Sequence, residues 1–412
     1  MTEPNIFNQY LNKRKDLVRY KKYLQTDYIP ESLPHRDDLL NQLVEIIAPS
    51  LNKIKPSNIL IIGQTGTGKT VTVNFLGKEL KKADPAEENV SLIYINCEIT
   101  DTPYGILYNI ANTIITDSSK KVPYTGWSVD KIIEELKNYM EEQKKIFIVV
   151  LDEIDRSINK NGDDVFYYLT SINNSLKESK ISVIGISNNP KFTDLLSSKI
   201  KSRLCEEKII FPPYSVEEIN DILLERANNA FDEGILDVGV IPYCAAITAQ
   251  DGGDARRAIS LLKLSAEIAE RNGDPVITEA HVKSAKNKFE MDAVTEIVKK
   301  ALNDQLKIVL MSIIKITEKG QKTMITGEVY SSYKDICEII GYSSLTQRRV
   351  ADMISELDML GLIYARVKSY GRNGRTKEIE LNLSRDIVDL LKEDELFKDL
   401  VNYKPPKQTT LI

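Results

Sequence analysis

The chain has 412 residues, which predicts two or three domains, and its 42% hydrophobic share is enough for sizeable cores. Its net charge of −5 excludes a polycation, so any contact with nucleic acid has to come from local basic patches. Widely spaced cysteines and only two histidines argue against a disulfide framework, a zinc site and a Ser-His-Asp hydrolase. With no signal-peptide core and no long apolar run in the sequence, we expect a cytoplasmic protein that does not contact a membrane.

The first 28 residues form a polar, tyrosine-rich segment. A basic stretch runs through it from Lys13 to Lys22. This composition predicts that residues 1–28 form an N-terminal arm, either flexible or folded as a short surface helix. The basic stretch fits DNA contact and, equally, an ordinary solvated face.

Four short apolar runs come next, separated by amphipathic helical patterns. They are Ile59–Ile62, Leu92–Ile95, Ile146–Leu151 and Ile181–Ile186. Each run is nearly continuous rather than alternating, which is typical of strands buried on both faces of a parallel sheet. Residues 29–212 are therefore predicted to form an α/β sandwich domain.

The strand patterns stop after Phe211-Pro212-Pro213. Residues 213–300 are predicted to form a separate helical domain, and Ser215 and Glu218 have the spacing of a capping box. Residues 301–400 are predicted to combine helices with two short strands. The remaining residues, 401–412, form a tail.

A phosphate-binding motif follows the first apolar run. It has the form G-x-x-x-x-G-K-[ST] and consists of Gly63, Gln64, Thr65, Gly66, Thr67, Gly68, Lys69 and Thr70, with a helical pattern from Val71. The glycines let backbone N–H groups wrap phosphates, and the helix N-terminus adds the positive end of its dipole. We expect Lys69 to reach the β- and γ-phosphates of ATP and the Thr70 hydroxyl to bind Mg²⁺.

The run Ile146–Leu151 ends at two acids, Asp152 and Glu153. A strand followed by Asp-Glu is weak evidence by itself, but it is strong when a phosphate-binding motif precedes it. We expect Asp152 to hold Mg²⁺ and Glu153 to act as general base on the attacking water. Asp155 is interpreted as a helix-start acid.

With these motifs the sequence resembles the AAA+ ATPases, which implies a P-loop parallel-sheet sandwich with a helical lid. The resemblance implies that Asn188, or its neighbour Asn189, is the sensor-1 residue that contacts the γ-phosphate and water. It also implies that Arg203 is an arginine finger for a neighbouring subunit and that Arg256 is the sensor-2 residue of the lid. A surface salt bridge is the alternative for each arginine.

The C-terminal part has the order of a winged helix. Residues 327–341 and 344–360 are predicted as two helices joined by a short turn, and the strands Leu362–Val367 and Lys377–Leu381 follow. In helix-turn-helix docking, the N-terminal end of the second helix meets the base edges. The candidate DNA-contacting residues at that end are Thr346, Gln347, Arg348 and Arg349.

The turn between the two strands is glycine-rich and basic. Arg372 and Arg375 lie at its tip, and Lys377 follows. A thin basic hairpin favours contact with the minor groove or with flanking phosphates. A winged-helix domain that binds proteins is the alternative.

Motifs from three domains occur in the order found in the archaeal replication initiators, relatives of the eukaryotic origin recognition complex. The sequence resembles that family from about residue 28 to about residue 390. The segments that carry the resemblance are Leu33–Asp37, Gly63–Thr70, Leu151–Asp155, Phe211–Tyr214, Gly253–Ala258, Thr346–Val350, Glu356–Met359 and Gly371–Glu378.

The resemblance implies a nucleoid-associated protein that binds duplex DNA at replication origins and recruits the MCM helicase. Nucleotide state would act as a switch, with slow, regulatory ATP hydrolysis to ADP and with other initiator paralogues as possible partners. It places His35, Arg36 and Tyr214 near the adenine. It also implies a DNA-touching insertion at about Pro103–Trp127, with Lys120, Lys121, Tyr124 and Thr125 as candidate contacts.

Two segments depart from the motifs of known relatives. Ser197-Ser198-Lys199 stands where many relatives have Asp-Pro-Arg, and lysine does not replace a planar guanidinium. In the tail, Gln408 and Leu411 faintly resemble a sliding-clamp peptide without its aromatic pair, and a frayed terminus is the preferred interpretation.

Two other functions compete with that of an initiator. One is a transcription regulator or silencer that binds DNA and uses ATP as a structural or regulatory ligand. The presence of both Asp152 and Glu153 argues against a vestigial nucleotide site. The other is a clamp-loader-like ATPase whose C-terminal domain binds proteins, against which the basic hairpin argues.

Overall fold

The protein is described from a computed structural model that covers residues 16–369, 375–400, 403 and 405. The chain divides into two compact units, residues 1–283 and residues 284–412. Several predicted features lie outside the described residues, namely Lys13–Lys15, Arg372 and the tail residues Gln408 and Leu411. For Arg375 only the backbone is described.

The first unit is built on a five-stranded parallel sheet. Its strands are β1 (Ile59–Gly63), β2 (Val90–Asn96), β3 (Ile146–Asp152), β4 (Lys180–Ser187) and β5 (Glu207–Phe211). They lie in the order β2-β3-β4-β1-β5, and every neighbouring pair is parallel. The parallel α/β fold predicted from the apolar runs is thereby confirmed.

Strand β5 was not predicted from the sequence. It is an edge strand that pairs only with β1. Its exposed residues Glu207 and Lys208 break the continuous apolar run that marks the central strands. The four predicted runs lie inside β1 to β4, each of which extends one to three residues further.

Helices cover both faces of this sheet. They are α1 (Asp37–Ile47), α2 (Lys69–Ala83), α3 (Pro103–Ile114), α4 (Val129–Gln143), α5 (Ile154–Asn161), α6 (Asp164–Ile172) and α7 (Ser198–Leu204). Apolar residues of α1 and α2 pack on one face, and those of α3, α4 and α6 pack on the other. Strand residues alternate between these two clusters, which explains the continuous apolar sequence of the strands.

A helical lid follows β5. It consists of α8 (Val216–Ala230), α9 (Val240–Gln250), α10 (Ala255–Asn272) and α11 (Glu279–Glu296), the last of which crosses the division between the two units. The predicted capping box is present, because Ser215 and Glu218 exchange side-chain-to-backbone hydrogen bonds at the start of α8. Asp254 caps α10 by accepting from the Arg257 N–H group.

Residues 16–30, here called the strap, pack against the lid. Leu17 and Val18 are buried, and their N–H groups donate to the buried Glu270 carboxylate of α10. Arg226 of α8 donates to the Tyr23 and Tyr28 carbonyls. The described part of the predicted arm is therefore held in place by its apolar residues and by the lid.

The second unit has the winged-helix order. Its elements are α12 (Asp304–Glu318), β6 (Thr323–Ile325), α13 (Thr326–Ile340), α14 (Gln347–Met359), β7 (Ile363–Ser369), β8 (Arg375–Leu381) and α15 (Arg385–Lys392). The antiparallel sheet has the order β6-β8-β7. Helix α14 begins three residues later than predicted because Thr346 caps it instead of lying inside it.

Among the residues that the structure describes, no helix is both long and apolar enough to cross a membrane.

Candidate functional site

The phosphate-binding loop, residues 63–70, joins the buried strand β1 to α2. Gly66 and Gly68 have φ values of 72° and 90°, which a glycine adopts without strain. The Lys69 ammonium donates to the carbonyls of Gly63 and Gln64, at 2.8 and 2.6 Å. The loop thus holds its lysine at the start of α2, where helix N–H groups attract anions.

A cavity of about 320 Å³ opens beside this loop. Its walls come from the strap, the loop with the first turn of α2, and lid helices α8 and α10. The apolar part of the wall contains Ile29, Pro30, Leu33, Pro34, Ile222 and Ile259. An apolar compartment next to a phosphate loop suits a nucleotide, whose base is flat and largely apolar.

Arg36 and Tyr214, two of the residues predicted near an adenine, brace the loop. Tyr214 lines the cavity, whereas Arg36 is only 2% exposed. The Arg36 guanidinium donates to the carbonyls of Thr67 and Pro212, at 3.2 and 2.9 Å, and lies 3.7 Å from the centre of the Tyr214 ring. The Tyr214 hydroxyl is so close to Gly68 that a Cβ there would lie 2.5 Å from it.

His35 does not line the cavity either. Its Nε2 atom lies 2.8 Å from a carboxylate oxygen of Asp221 on α8. Its positive φ of 62° turns the chain between Pro34, which does line the cavity, and the buried Arg36. His35 and Arg36 are therefore next to the cavity but are not among its lining residues. The His35 side chain contacts Asp221 of the lid, and the Arg36 side chain contacts Thr67 of the phosphate-binding loop.

Asp152 and Thr70 meet at the carboxyl end of β3. The Thr70 hydroxyl donates to Asp152 Oδ2 at 2.7 Å, and the Glu153 N–H group donates to Oδ1 at 2.9 Å. Tyr94 of the neighbouring strand β2 also donates to Oδ2, at 2.6 Å. A carboxylate and a hydroxyl are the hard oxygen ligands that Mg²⁺ prefers, so the residues present fit this ion.

Glu153 lies at the start of α5 with a φ of 54°. Burial, followed by the nearby carboxylates of Glu98 and Asp152, raises the pKa of the Glu153 carboxyl, while Arg156 lowers it. The Arg156 guanidinium lies 3.6 Å from Glu153 and 2.8 Å from Glu98. A raised pKa makes the ionised carboxylate a stronger base, as a general base requires.

Asn188 and Asn189 follow the last residue of β4. The Asn189 side-chain oxygen accepts a hydrogen bond from the Lys191 N–H group at 2.9 Å. This oxygen is therefore engaged in a local turn. Asp155 accepts from the Ser187 hydroxyl and the Asn188 N–H group, at 3.0 and 3.3 Å. Asp155 thus lies in the first turn of α5 and ties this helix to the end of β4.

The lid touches the phosphate loop directly. The Ala255 N–H group donates to the Gly66 carbonyl at 3.1 Å, and a Cβ on Gly66 would lie 1.8 Å from Asp254 Oδ1. Arg256 lines the cavity in the first turn of α10. Burial, with a further contribution from the Arg256 charge, lowers the pKa of Lys69 to about 8.

Arg203 lies in α7, partly buried, and is not among the residues that line the described cavity. Its carbonyl accepts from the Asn58 amide at 2.8 Å. Lys199, in the same helix, places its ammonium 4.5 Å from the centre of the Tyr167 ring. The structure therefore brings Arg256, but not Arg203, to the chain's own cavity.

Part of the predicted insertion is helix α3, and the rest is a loop that contains a short 3-10 helix, Ser118–Lys120. Tyr124 is 77% exposed and packs edge-on against Tyr108 at 5.6 Å. Lys121 is exposed, and the Lys120 ammonium lies 5.9 Å from the centre of the Tyr139 ring. These basic and aromatic side chains lie together in a segment that does not line the cavity.

The first turn of α14 in the second unit is exposed. It contains Gln347, Arg348 and Arg349. Thr346 precedes it, and its hydroxyl accepts from the Arg349 N–H group at 3.4 Å. Thr346 therefore shapes the start of the helix, while the next three side chains face solvent.

The β7–β8 hairpin carries less free positive charge than its sequence indicates. The Lys377 ammonium turns inward and donates to the Ala351 carbonyl and the Ser355 hydroxyl of α14. Lys368 pairs with Glu378, which lies opposite Arg366 in the strand register. Lys377 was predicted as a DNA contact, but its position makes it a link between β8 and α14.

Three features of the site were missed by sequence reasoning. These are the Tyr94 hydroxyl on Asp152, the strap residues in the cavity wall, and the contact of Asp254 with Gly66. Strand alternation could have placed Tyr94 on the Asp152 side of the sheet. Nothing in the sequence pattern placed the strap, because its contacts join residues some 200 positions apart or more, as between Val18 and Glu270.

Three family models match the chain. Residues 54–196 match an AAA domain, residues 220–287 a Cdc6 AAA+ ATPase-type lid domain, and residues 298–390 the CDC6 C-terminal winged helix domain. The three matched segments follow the described sheet domain, lid and winged helix in order.

Relatives match almost the whole chain. An "ORC1-type DNA replication protein" of Thermococcus kodakarensis is 45% identical over 409 residues, covering 99% of this chain and 98% of the relative. One of Pyrococcus horikoshii is 47% identical over 380 residues, covering 92% and 90%. The Aeropyrum pernix ORC1 protein, solved in complex with DNA, is 40% identical with a TM-score of 0.73, covering 92% of this chain and 98% of that one. With this identity along nearly its full length, the chain belongs to the archaeal ORC1/Cdc6 family of DNA replication proteins.

Proposed function

We propose that the chain is an ATP-controlled replication initiator that binds duplex DNA at origins and recruits the MCM helicase. The exposed first turn of α14, with Gln347, Arg348 and Arg349, carries the DNA-binding part of this proposal. Such a turn suits the major groove, where arginine reads guanine and glutamine reads adenine. The relatives' name and the DNA complex of the Aeropyrum pernix protein support the same role.

In this proposal the cavity holds ATP or ADP. The apolar wall around Ile29 and Leu33 faces the base, and the phosphate loop with Lys69 takes the phosphates. Thr70 and Asp152 hold Mg²⁺, which neutralises phosphate charge when it is bound. Tyr214 lines the wall, while Arg36 and His35 hold the surrounding chain in position.

Hydrolysis is attack of water on the γ-phosphorus, giving ADP and phosphate. Glu153 takes the proton from the water, and Asn188 orients the water beside the phosphate. Arg256 meets the phosphate from the lid, and Arg203 serves a neighbouring subunit, an initiator paralogue or another copy. The Arg156 guanidinium lies 3.6 Å from Glu153 and stabilises the negative charge of its carboxylate, which makes that carboxylate a weaker base. We therefore expect turnover to be slow and regulatory.

Nucleotide state acts as a switch through the lid. The lid touches the loop through the Ala255 N–H group and the Gly66 carbonyl, and Arg256 enters the same cavity. A ligand that binds one arrangement of loop and lid more tightly shifts the protein toward it. Lys69→Ala and Glu153→Gln test this, since they block binding and hydrolysis separately. Identical DNA footprints and identical helicase loading for both variants would contradict the switch.

Footprinting on fragments of the host genome tests the initiator role. Wild type is compared with an Arg348→Ala/Arg349→Ala variant and an Arg372→Ala/Arg375→Ala variant, with competitor DNA at physiological salt. We expect a discrete protected element at the replication origin that both variants weaken. Protection confined to promoters would favour a transcription regulator, and no specific protection would favour a protein-binding winged helix.

A further inference from the structure

Tyr94 lies on β2, the edge strand next to β3. In the parallel register it stands opposite Val150, two residues before Asp152. Side chains alternate along a strand, so Tyr94, Val150 and Asp152 lie on the same face of the sheet. This is the face covered by α2, which carries Thr70 in its first turn.

The hydrogen bonds on Asp152 fix both oxygens of a carboxylate that is 4% exposed. Oδ1 accepts from the Glu153 N–H group, and Oδ2 accepts from both the Thr70 hydroxyl and the Tyr94 hydroxyl. The Tyr94 contact is the shortest of the three, at 2.6 Å. A phenol hydroxyl is protonated at physiological pH, so Tyr94 acts as a hydrogen-bond donor to this carboxylate.

We propose that Tyr94 is a positioning residue for Mg²⁺, because its hydroxyl orients the Asp152 carboxylate from the neighbouring strand. The inference rests on the proposed nucleotide site. Mg²⁺ accepts little departure from octahedral geometry, so a carboxylate free to turn binds it less well. Thr70, whose hydroxyl also donates to Asp152 Oδ2, is itself a proposed ligand of the ion. Tyr94 donates to the same oxygen and is not a proposed ligand, so its role is to orient the carboxylate.

The test is Tyr94→Phe, which removes one oxygen and keeps the ring. The probe is a fluorescent N-methylanthraniloyl derivative of ADP, titrated against the full chain in EDTA and then, at fixed nucleotide, against Mg²⁺. We expect the Mg²⁺ midpoint to rise about tenfold, the lower end of effects seen when partners of metal ligands are removed. Affinity in EDTA should not change, which separates positioning of the ion from a general loss of structure.

Tyr104→Phe is the matched control, because within the described part of the chain the Tyr104 hydroxyl donates to the Pro123 carbonyl and not to Asp152. It should leave both readings at wild-type values. Tyr94→Leu is a second variant and should raise the Mg²⁺ midpoint at least as far. An unchanged midpoint in Tyr94→Phe, with wild-type affinity in EDTA, would overturn this inference alone. A wild-type chain that binds no analogue under either condition would overturn the nucleotide site and this inference with it.

Discussion

Arg36 donates to carbonyls from three parts of the chain and lies over the ring of Tyr214. A buried, planar guanidinium can satisfy several acceptors at once, whereas a lysine ammonium cannot match that geometry. We expect Arg36→Lys to lower the free energy of unfolding by about 2–4 kcal/mol, since a lysine ammonium cannot reach all of these carbonyls and leaves some of them without a donor. Urea unfolding of the full chain measures this.

Arg19→Lys is the control for Arg36→Lys. Arg19 pairs with Asp232 at 2.9 Å in an exposed position, where ion pairs contribute little to stability. It should leave the urea midpoint unchanged. Equal stability of the Arg36→Lys and wild-type chains would show that Arg36 does not brace the loop.

We expect Lys69 to make nucleotide affinity depend on pH. Its pKa is lowered to about 8 by burial and by Arg256, so above that pH the free protein loses the ammonium that phosphates require. We expect affinity for the fluorescent ADP to fall as pH rises through this value, approaching about tenfold per pH unit well above it. Equilibrium titrations between pH 7 and pH 10 measure the decline.

Arg256→Gln should move that decline to higher pH, because it removes a charge that lowers the Lys69 pKa. Arg257→Gln is its control, since Arg257 pairs with Asp251 at 3.0 Å. A decline that stays at the same pH in Arg256→Gln would mean that another group than Lys69 is titrating.

At the scale of elements, the contact between α10 and the phosphate loop depends on Gly66. A Cβ there would meet Asp254, which cannot move away without losing the cap of α10. We expect Gly66→Ala to weaken binding of the fluorescent ADP at least tenfold, because the lid can no longer close on the loop.

Gly273→Ala is the matched control. Gly273 directly follows the last residue of α10, whereas Asp254, which faces Gly66, directly precedes the first. The φ of 79° at Gly273 is similar to the 72° of Gly66, but a Cβ there would meet nothing within 4 Å. It should cost about 1 kcal/mol of stability through backbone strain and leave nucleotide affinity unchanged. Equal losses of affinity in the two variants would attribute the effect to strain and not to the lid.

The elements that the sequence predicted best are those with an unbroken apolar pattern. Strands β1 to β4 contain such a run because helices pack on both faces of the sheet, whereas three of the five residues of β5 are exposed. The motif residues Lys69, Thr70 and Asp152 were placed together correctly, since the carboxyl ends of the parallel strands β1 and β3 lie at the same edge of the sheet, with only β4 between them. The direction of single side chains was not predictable, as Lys377 shows by turning toward α14.

At the scale of the whole molecule, a net charge of −5 limits the DNA contacts to local basic groups. Each phosphate contact that is lost should lower the slope of log affinity against log salt by about 0.9. We expect Arg349→Ala to weaken DNA binding, with a smaller salt slope where the side chain contacts phosphate and a changed base preference where it contacts a base. Fluorescence anisotropy on duplex DNA at several salt concentrations measures the slope.

Lys377→Ala provides the contrast, because its ammonium is engaged by α14. It should lower the melting temperature of the winged-helix unit more than Arg349→Ala does and leave the salt slope unchanged. A salt slope that falls by about one in Lys377→Ala would instead make Lys377 a phosphate contact.

We expect the strap to limit how fast a ligand leaves the cavity. Thr26, Asp27, Ile29 and Pro30 form part of the cavity wall, and the same stretch of chain is held to the lid through Glu270 and Arg226. If the ligand leaves past this wall, its residence time is set by how often those hydrogen bonds open together. Deuterium uptake at the Leu17 and Val18 amides then measures this opening. Bound nucleotide should slow the uptake, and the uptake should occur at the rate at which the nucleotide is released.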